Sequence, residues 1–424
     1  MRKDLCASGL IKAIHQQFKK IEDPKKSSRK NIVTITDCLM SCFAVFSLKW
    51  PSLLQYEEEK KDLIVLENLR NLYLVGSAPS DTYMRERLDE LEPEKLRQAF
   101  KKVFSIAQRG KVLEQYEFLD GYYLFSTDGT GHFSSNTIHC ANCCIKKHYD
   151  GKNTYYHNMM GGSIVHPDKK EVIPFCPEPI KNEDGYTKND CEQTASKRQL
   201  QALRREHPHL KVIVVQDALS DSGPNTQLIE SLNMKYLIVS KRPTFQYAPV
   251  EKILFHEFTD HDGTVYKYRF INEIPFNGVY RDQKTNCFEC NSVSLKGEVK
   301  KGSWITNIWI TKNNVHQLMQ GGRARWKIEN ETFNTLKNQG YHFEHNFGHG
   351  KKNLCTVMSF LMVLAFLIDQ LQMICCESYQ EAKRTARTFS SLWEKMRTVF
   401  YYIELNSWAE FLNFITKRKR QDTS

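Results

Sequence analysis

Two aspartates follow strand-like apolar runs. Tyr122-Tyr-Leu-Phe-Ser-Thr127 leads into Asp128, and Val212-Ile-Val-Val-Gln216 leads into Asp217. Carboxylates at the ends of neighbouring strands converge on one point while the strands supply a rigid base. Hard oxygen donors held this way suit Mg²⁺ and phosphoryl transfer. Downstream, Arg325 and Glu329 stand one helical turn apart, on one face of a helix expected over 323–337. A helical glutamate facing both aspartates would complete a three-carboxylate cage for two Mg²⁺ or Mn²⁺ ions about 3.5–4 Å apart. One ion would activate water or a 3′-hydroxyl and the other would stabilise the leaving oxygen. Arg325 would hold a phosphate with its planar fork. Each carboxylate has a rival reading, and for Asp128 it is that of an ordinary strand-end turn residue. Asp221 is a candidate helix cap beside Asp217, and Glu331 falls nearly opposite Glu329 on the helix.

The elements that must position these residues follow from pattern. Residues 122–127, 154–165 and 171–175 read as strands, with Gly161 and Gly162 marking a bulge. A helix over 190–206, a strand over 211–216, a helix over 225–232 and a strand over 236–240 come next. Three strands, helix, strand, helix, strand is similar to the order of a ribonuclease-H-like α/β core. In such a core the first and fourth strands are neighbours, which would bring Asp128 beside Asp217. Residues 242–310 read as a β-rich insertion before the catalytic helix, with turns such as Asp262-Gly263. The first hundred residues are expected to be helical, with helices over 10–18, 36–46, 58–73, 81–91 and 94–108. The turn at 75–80 gives a helix-turn-helix-like arrangement that is either a DNA reader or a plain helical hairpin.

With these elements in place, Asp128-Gly-Thr, Gln216-Asp-Ala-Leu and Arg325-Trp-Lys-Ile-Glu329 resemble the cut-and-paste DDE transposases of bacterial insertion sequences. The signature of that family is Tyr-x2-Arg-x3-Glu-x6-Lys on a helix after a β-strand insertion. Ser80-Asp-Thr-Tyr-Met-Arg85, Asp190-Cys-Glu192 and the stretch from Gly340 to Gly350 extend the resemblance across roughly residues 80–370. The signature tyrosine falls on Gly322 and the lysine on Leu336, with Lys337 one place late. The resemblance implies catalytic and metal-binding roles for Asp128, Asp217 and Glu329, and DNA-phosphate contacts for Arg325 and Lys337. It also implies a homodimer acting on paired ends of double-stranded DNA, cleavage followed by strand transfer into a target, and a cytoplasmic, nucleoid-associated protein. The expected domains are a helical DNA-binding region (1–118), the first part of the core (119–241) and the insertion (242–310). The catalytic and following helices (311–375) and a helical C-terminal region with a basic tail (376–424) complete the chain. A non-catalytic DNA-binding descendant and a nuclease that cuts without joining are the rival functions.

Composition agrees with a nucleic-acid partner. Lys and Arg number 60 against 49 Asp and Glu, a net charge of +11, and such a surplus favours a polyanion. Met1 to Cys6 is not followed by an apolar stretch, so no secretory signal is expected. The apolar run 354–368 falls short of the roughly 20 residues that span a bilayer and reads as a buried helix.

The thirteen cysteines form no disulfide framework. Cys140-Ala-Asn-Cys143, flanked by His139 and His148, has zinc-like ligand spacing, and Cys287 and Cys290 would complete a four-cysteine structural site. The alternative is a set of reduced, unliganded thiols. His342, His345 and His349 read either as metal ligands or as a packed polar loop. Trp304 and Trp309 are candidates to stack on a flipped base or to pack within strands. Lys417 to Arg420 would touch backbone phosphate.

Overall fold

The computed structural model describes residues 5–24, 33–185 and 188–416. The basic tail expected at 417–420 lies outside these residues. The fold is α/β, with a mixed sheet and helical N- and C-terminal regions. The strands are β1 (Glu117–Leu119), β2 (Tyr122–Ser135), β3 (Cys144–Lys147), β4 (Asn153–Val165), β5 (Ile173–Pro174) and β6 (Glu178–Ile180). They continue with β7 (Val212–Gln216), β8 (Lys235–Val239), β9 (Leu254–Thr259), β10 (Val265–Pro275), β11 (Lys284–Val293) and β12 (Val299–Thr306). All twelve belong to one sheet, ordered β3-β4-β2-β7-β8-β12-β11-β10-β9, with β1 on β2, and β5 and β6 on β4.

β7 runs parallel to both β2 and β8, and the other pairings are antiparallel. Parallel pairing requires crossovers, supplied by the helices Lys188–Glu206 and Gly223–Ser231. Covered on both faces, β7 is buried at every position, which is why it reads as an unbroken Val/Ile run rather than an alternation.

Three expectations about the sheet change. β2 does not end at Asp128 but continues to Ser135, as a partner of β4. Gly161 and Gly162 mark no bulge: they pair in register with Asp128 and Thr127, and the irregularity lies between Gly131 and Phe133. Their function is close approach, since a Cβ at Gly161 would sit 2.6 Å from Phe333 and one at Gly162 would sit 2.3 Å from Phe125. The residues of the expected insertion form four strands that extend the central sheet, because β12 pairs with β8 at Trp304↔Val239 and Ile305↔Ile238.

The helix expected over 58–73 is two, Leu53–Glu59 and Leu63–Tyr73, broken where Asp62 caps the second by accepting from the Ile64 N–H at 2.7 Å. The 22-residue helix Leu354–Cys375 passes for a membrane span by length and composition, yet 89% of its apolar stretch is buried. It packs on the helix Ile35–Ser47 and on β5. Its Asp369 takes an ion pair from the fully buried Lys49 and hydrogen bonds from Tyr341 (2.6 Å) and Tyr379 (3.3 Å). Lys49 also lies 4.0 Å from the Trp393 ring centre. This network ties the N-terminal helices to the C-terminal ones through one charged pair.

Candidate active site and metal centre

Asp128 stands where β7 leaves β2. The β2–β7 ladder runs through Ser126↔Val215, and carrying that register two residues further sets Asp128 level with Asp217. Asp217 is the first residue past β7, and its Oδ1 accepts from the Leu219 N–H at 3.1 Å, opening a short 3₁₀ turn. The third carboxylate arrives from the far side of the insertion. The helix Val315–Arg323 gives way to a turn, and a π-helical segment, Ile328–Phe333, carries Glu329. Such segments widen the helix and are frequent at functional sites.

Three contacts seat this segment on the sheet. Ser126 Oγ donates to the Arg325 carbonyl at 3.0 Å, Thr332 Oγ1 lies 3.3 Å from Ser163 Oγ, and Phe333 lies over Gly161.

Two of the carboxylates, Asp128 and Glu329, are joined through Arg325, which is 6% exposed. Its Nη1 donates to Glu329 Oε1 at 2.7 Å and to Asp128 Oδ2 at 3.3 Å, and its guanidinium lies 4.6 Å from the Trp326 ring centre. Burial pushes the Asp128 carboxyl up to about 7, and a hydrogen bond with Glu329 adds to the rise. The Gly129 N–H, at 2.8 Å, and Arg325 oppose it. The Asp128 carboxyl is thus held well above the ordinary carboxylate range beside Glu329.

The remaining candidates divide. Asp221 is not the N-cap of the following helix, a place taken by Ser222; it accepts from Ser240 (2.6 Å) and Arg242 (2.8 Å). Lys337 pairs with Glu344 at 2.8 Å. Trp304 is buried and stacks on Phe288 at 5.2 Å, and its indole occupies the space a side chain at Gly322 would need, with Nε1 2.4 Å from a Cβ built there. Trp309 is 57% exposed. Glu192 was not singled out as a site residue in the sequence. Its carboxylate approaches to 3.0 Å of a Cβ built at Gly129, beside Asp128.

The cysteine pairs do not meet. Cys287 and Cys290 lie on β11, facing β10 and β12 partners in the part of the sheet expected as an insertion. Cys140 and Cys143 instead converge with His157, on β4, and His349, in the loop before the long core helix. This Cys/His cluster could hold a metal. Cys140 Sγ is 3.8 Å from Cys143 Sγ and 3.4 Å from His157 Nε2, while Cys143 Sγ is 3.3 Å from His157 Nε2 and 3.4 Å from His349 Nε2. His139 stacks on Tyr155, His148 bonds Thr154 and His345 packs on Phe347, so none of the three joins the cluster. A sequence signal for His157 existed, since it follows Cys143 by a gap within the roughly twelve to fifteen residues common in Cys/His zinc sites. His349 lacks any such local signal.

No protein-family model and no curated protein matches this chain.

Proposed function

We propose that the chain is a DDE-type transposase that cleaves DNA at the ends of a bacterial insertion element and joins the freed 3′-hydroxyl to target DNA. The observation that carries this reading is the bridge from Arg325 to Asp128 and Glu329, which joins a strand to a distant helical segment, with Asp217 at the end of the strand that neighbours Asp128. The strand order supports a ribonuclease-H-like core: β5 and β6 on β4, then β2, β7 and β8, with β2, β7 and β8 mutually parallel. The net charge of +11 favours the double-stranded DNA this activity needs.

Asp128, Asp217 and Glu329 would hold Mg²⁺ or Mn²⁺, which supplies Lewis-acid activation of the attacking and leaving oxygens. Oxygen donors fit those hard ions, whereas the thiolate and imidazole donors of the Cys/His cluster fit Zn²⁺, so two different metals belong to two different places. With its carboxyl raised to about 7, Asp128 would give up a proton on binding a cation. Arg325 pairs with Asp128 and Glu329, and its fork would turn towards a DNA phosphate once cations take up those carboxylates. Lys337 adds a second cation one helical turn beyond the π segment. Two protomers on paired ends, in a bacterial nucleoid, complete the reading.

The test is Mg²⁺-dependent cleavage of duplexes built from the DNA flanking the gene. Wild-type protein is expected to cut at a short inverted repeat, while Asp128→Ala binds the duplex without cutting. Cleavage unchanged in Asp128→Ala removes the catalytic assignment, and binding without cleavage by the wild type favours a non-catalytic DNA-binding protein.

A further inference from the structure

The Cys140, Cys143, His157 and His349 cluster joins two parts of the chain far apart in sequence. Cys140 and Cys143 lie in the loop between β2 and β3, and His157 follows on β4. His349 stands in the loop that links the helix Asn334–Asn338, bearing Lys337, to the core helix Leu354–Cys375.

Four features fit a bound ion rather than an ordinary packed cluster. The first is shape. A tetrahedral zinc with S and N bonds near 2.3 and 2.05 Å has edges of about 3.8 Å between sulfurs and about 3.5 Å from sulfur to nitrogen. The observed edges are 3.8 Å for the sulfur pair and 3.3–3.4 Å for three of the four sulfur–nitrogen pairs, and all four ligand atoms lie within 4.8 Å of one another. The second is tautomer. His349 Nδ1 lies 2.9 Å from the Gly350 carbonyl, which can only accept, so Nδ1 carries the proton and Nε2 presents its lone pair to the cluster.

The third is support for a thiolate, because the Cys140 backbone N–H donates to Cys143 Sγ at 3.4 Å. The fourth is charge. Cys143, His157 and His349 are buried to 5% exposure or less. Two thiolates, two neutral imidazoles and one divalent cation sum to zero, which such a site tolerates far better than an unpaired charge.

We infer that these four residues form a closed structural zinc centre that fastens the β2–β3–β4 hairpin to the loop preceding the core helix. Four protein ligands leave no open position, which separates the centre from catalytic zinc. A second fastening lies on the far side of His349. The Asp89 carboxylate accepts from the backbone N–H groups of Lys351, Lys352, Asn353 and Leu354 at 2.9–3.0 Å. Asn142, between the two cysteines, also donates to the Lys352 carbonyl at 2.9 Å. The same loop carries Glu344, the ion-pair partner of Lys337. The zinc thus positions the segment that orients Lys337; this consequence for DNA rests on the transposase reading, while the metal site itself does not.

The experiment is elemental analysis of the purified full-length protein, followed by cobalt replacement. About one zinc ion per chain is expected, and the cobalt form should show thiolate charge-transfer and tetrahedral d–d absorption. Cys143→Ser and His349→Ala should each lose the metal, whereas Cys287→Ala and the cleavage-deficient Asp128→Asn should retain it. If either ligand variant fails to fold, the cobalt spectrum of the wild type still reports the coordination number and the thiolates. Less than about a tenth of an equivalent of any metal, or one equivalent of iron, overturns the inference. So do zinc retained in full by both ligand variants and an octahedral, thiolate-free cobalt spectrum. Zinc present in a protein that cuts no DNA would leave the inference standing and remove the transposase reading alone.

Discussion

Arg325 and Glu329 are joined across one helical turn by a 2.7 Å charge-assisted hydrogen bond, at a place where the helix is widened rather than regular. The same guanidinium nitrogen reaches Asp128 on the sheet at 3.3 Å. The arginine thereby joins two carboxylates, and burial raises the one on Asp128. Several consequences can be measured.

The first concerns pH. Asp128 is raised from its ordinary 3.8 to about 7, by burial and then by the Glu329 hydrogen bond. A raised carboxyl pKa means the folded state holds a proton that the unfolded state has released. The associated stability is fully present below about 3.8 and is lost as pH rises through about 7. The metal-free protein should therefore melt at a lower temperature at pH 8 than at pH 6, and Asp128→Asn should flatten that difference while abolishing cleavage. Mn²⁺ titration by calorimetry should release a proton at pH 6 but little at pH 8. Equal proton release at both pH values would remove the raised Asp128 carboxyl from the account.

A second prediction concerns the seating of the π segment. Gly161→Ala would place a Cβ 2.6 Å from the Phe333 ring. Overpacking of this kind costs about 1–3 kcal/mol and should push Glu329 away from Asp128. Chemical denaturation should show the loss, and Phe333→Leu in the same chain should recover part of it. A neutral Gly161→Ala would mean that the ring moves freely.

The buried Lys49–Asp369 pair predicts a larger effect. Removing one partner strands the other charge, at a cost of about 3–5 kcal/mol. Lys49→Met should approach that range by urea denaturation, because Asp369 then keeps only the Tyr341 and Tyr379 hydroxyls.

His207 gives a prediction of opposite sign. Its ring lies 4.5 Å from Phe104 and 5.3 Å from Phe175, and burial lowers it to about 4. A lowered histidine contributes stability above the unfolded value of 6.5 that is lost as pH falls through about 4. The loss should amount to at most about 3 kcal/mol at this one site. His207→Phe should reduce the acid sensitivity of the melting temperature between pH 6.5 and pH 4.

The sequence made some of this legible and hid the rest for physical reasons. Asp128 and Asp217 were visible because buried parallel strands leave apolar runs, and because strand order implies which runs are neighbours. Glu329 followed from Arg325, since side chains one turn apart share a face in α- and π-helical turns alike. The π segment itself was not legible: its widening comes from seating Phe333 on Gly161, a tertiary contact without a local propensity. Gly161 and Gly162 looked like a bulge because sequence cannot distinguish a glycine that bends a strand from one that admits a ring. The metal cluster was half legible. Cys140 and Cys143 announce themselves by spacing, but His349 joins them only through the fold, and Cys287 and Cys290 repeat the same spacing on a strand elsewhere. The residues of the expected insertion were recognised as β-rich, yet pairing of β12 with β8 depends on backbone edges that carry no side-chain signature.

The most direct test of the central claim is strand transfer from a pre-cut element end bearing a free 3′-hydroxyl, assayed with Mg²⁺ and a supercoiled target. The account predicts joined product with the wild-type protein and none with Glu329→Gln, although both bind the end. Joined product formed equally well by Glu329→Gln, or cutting by the wild type with no joining at all, would contradict it.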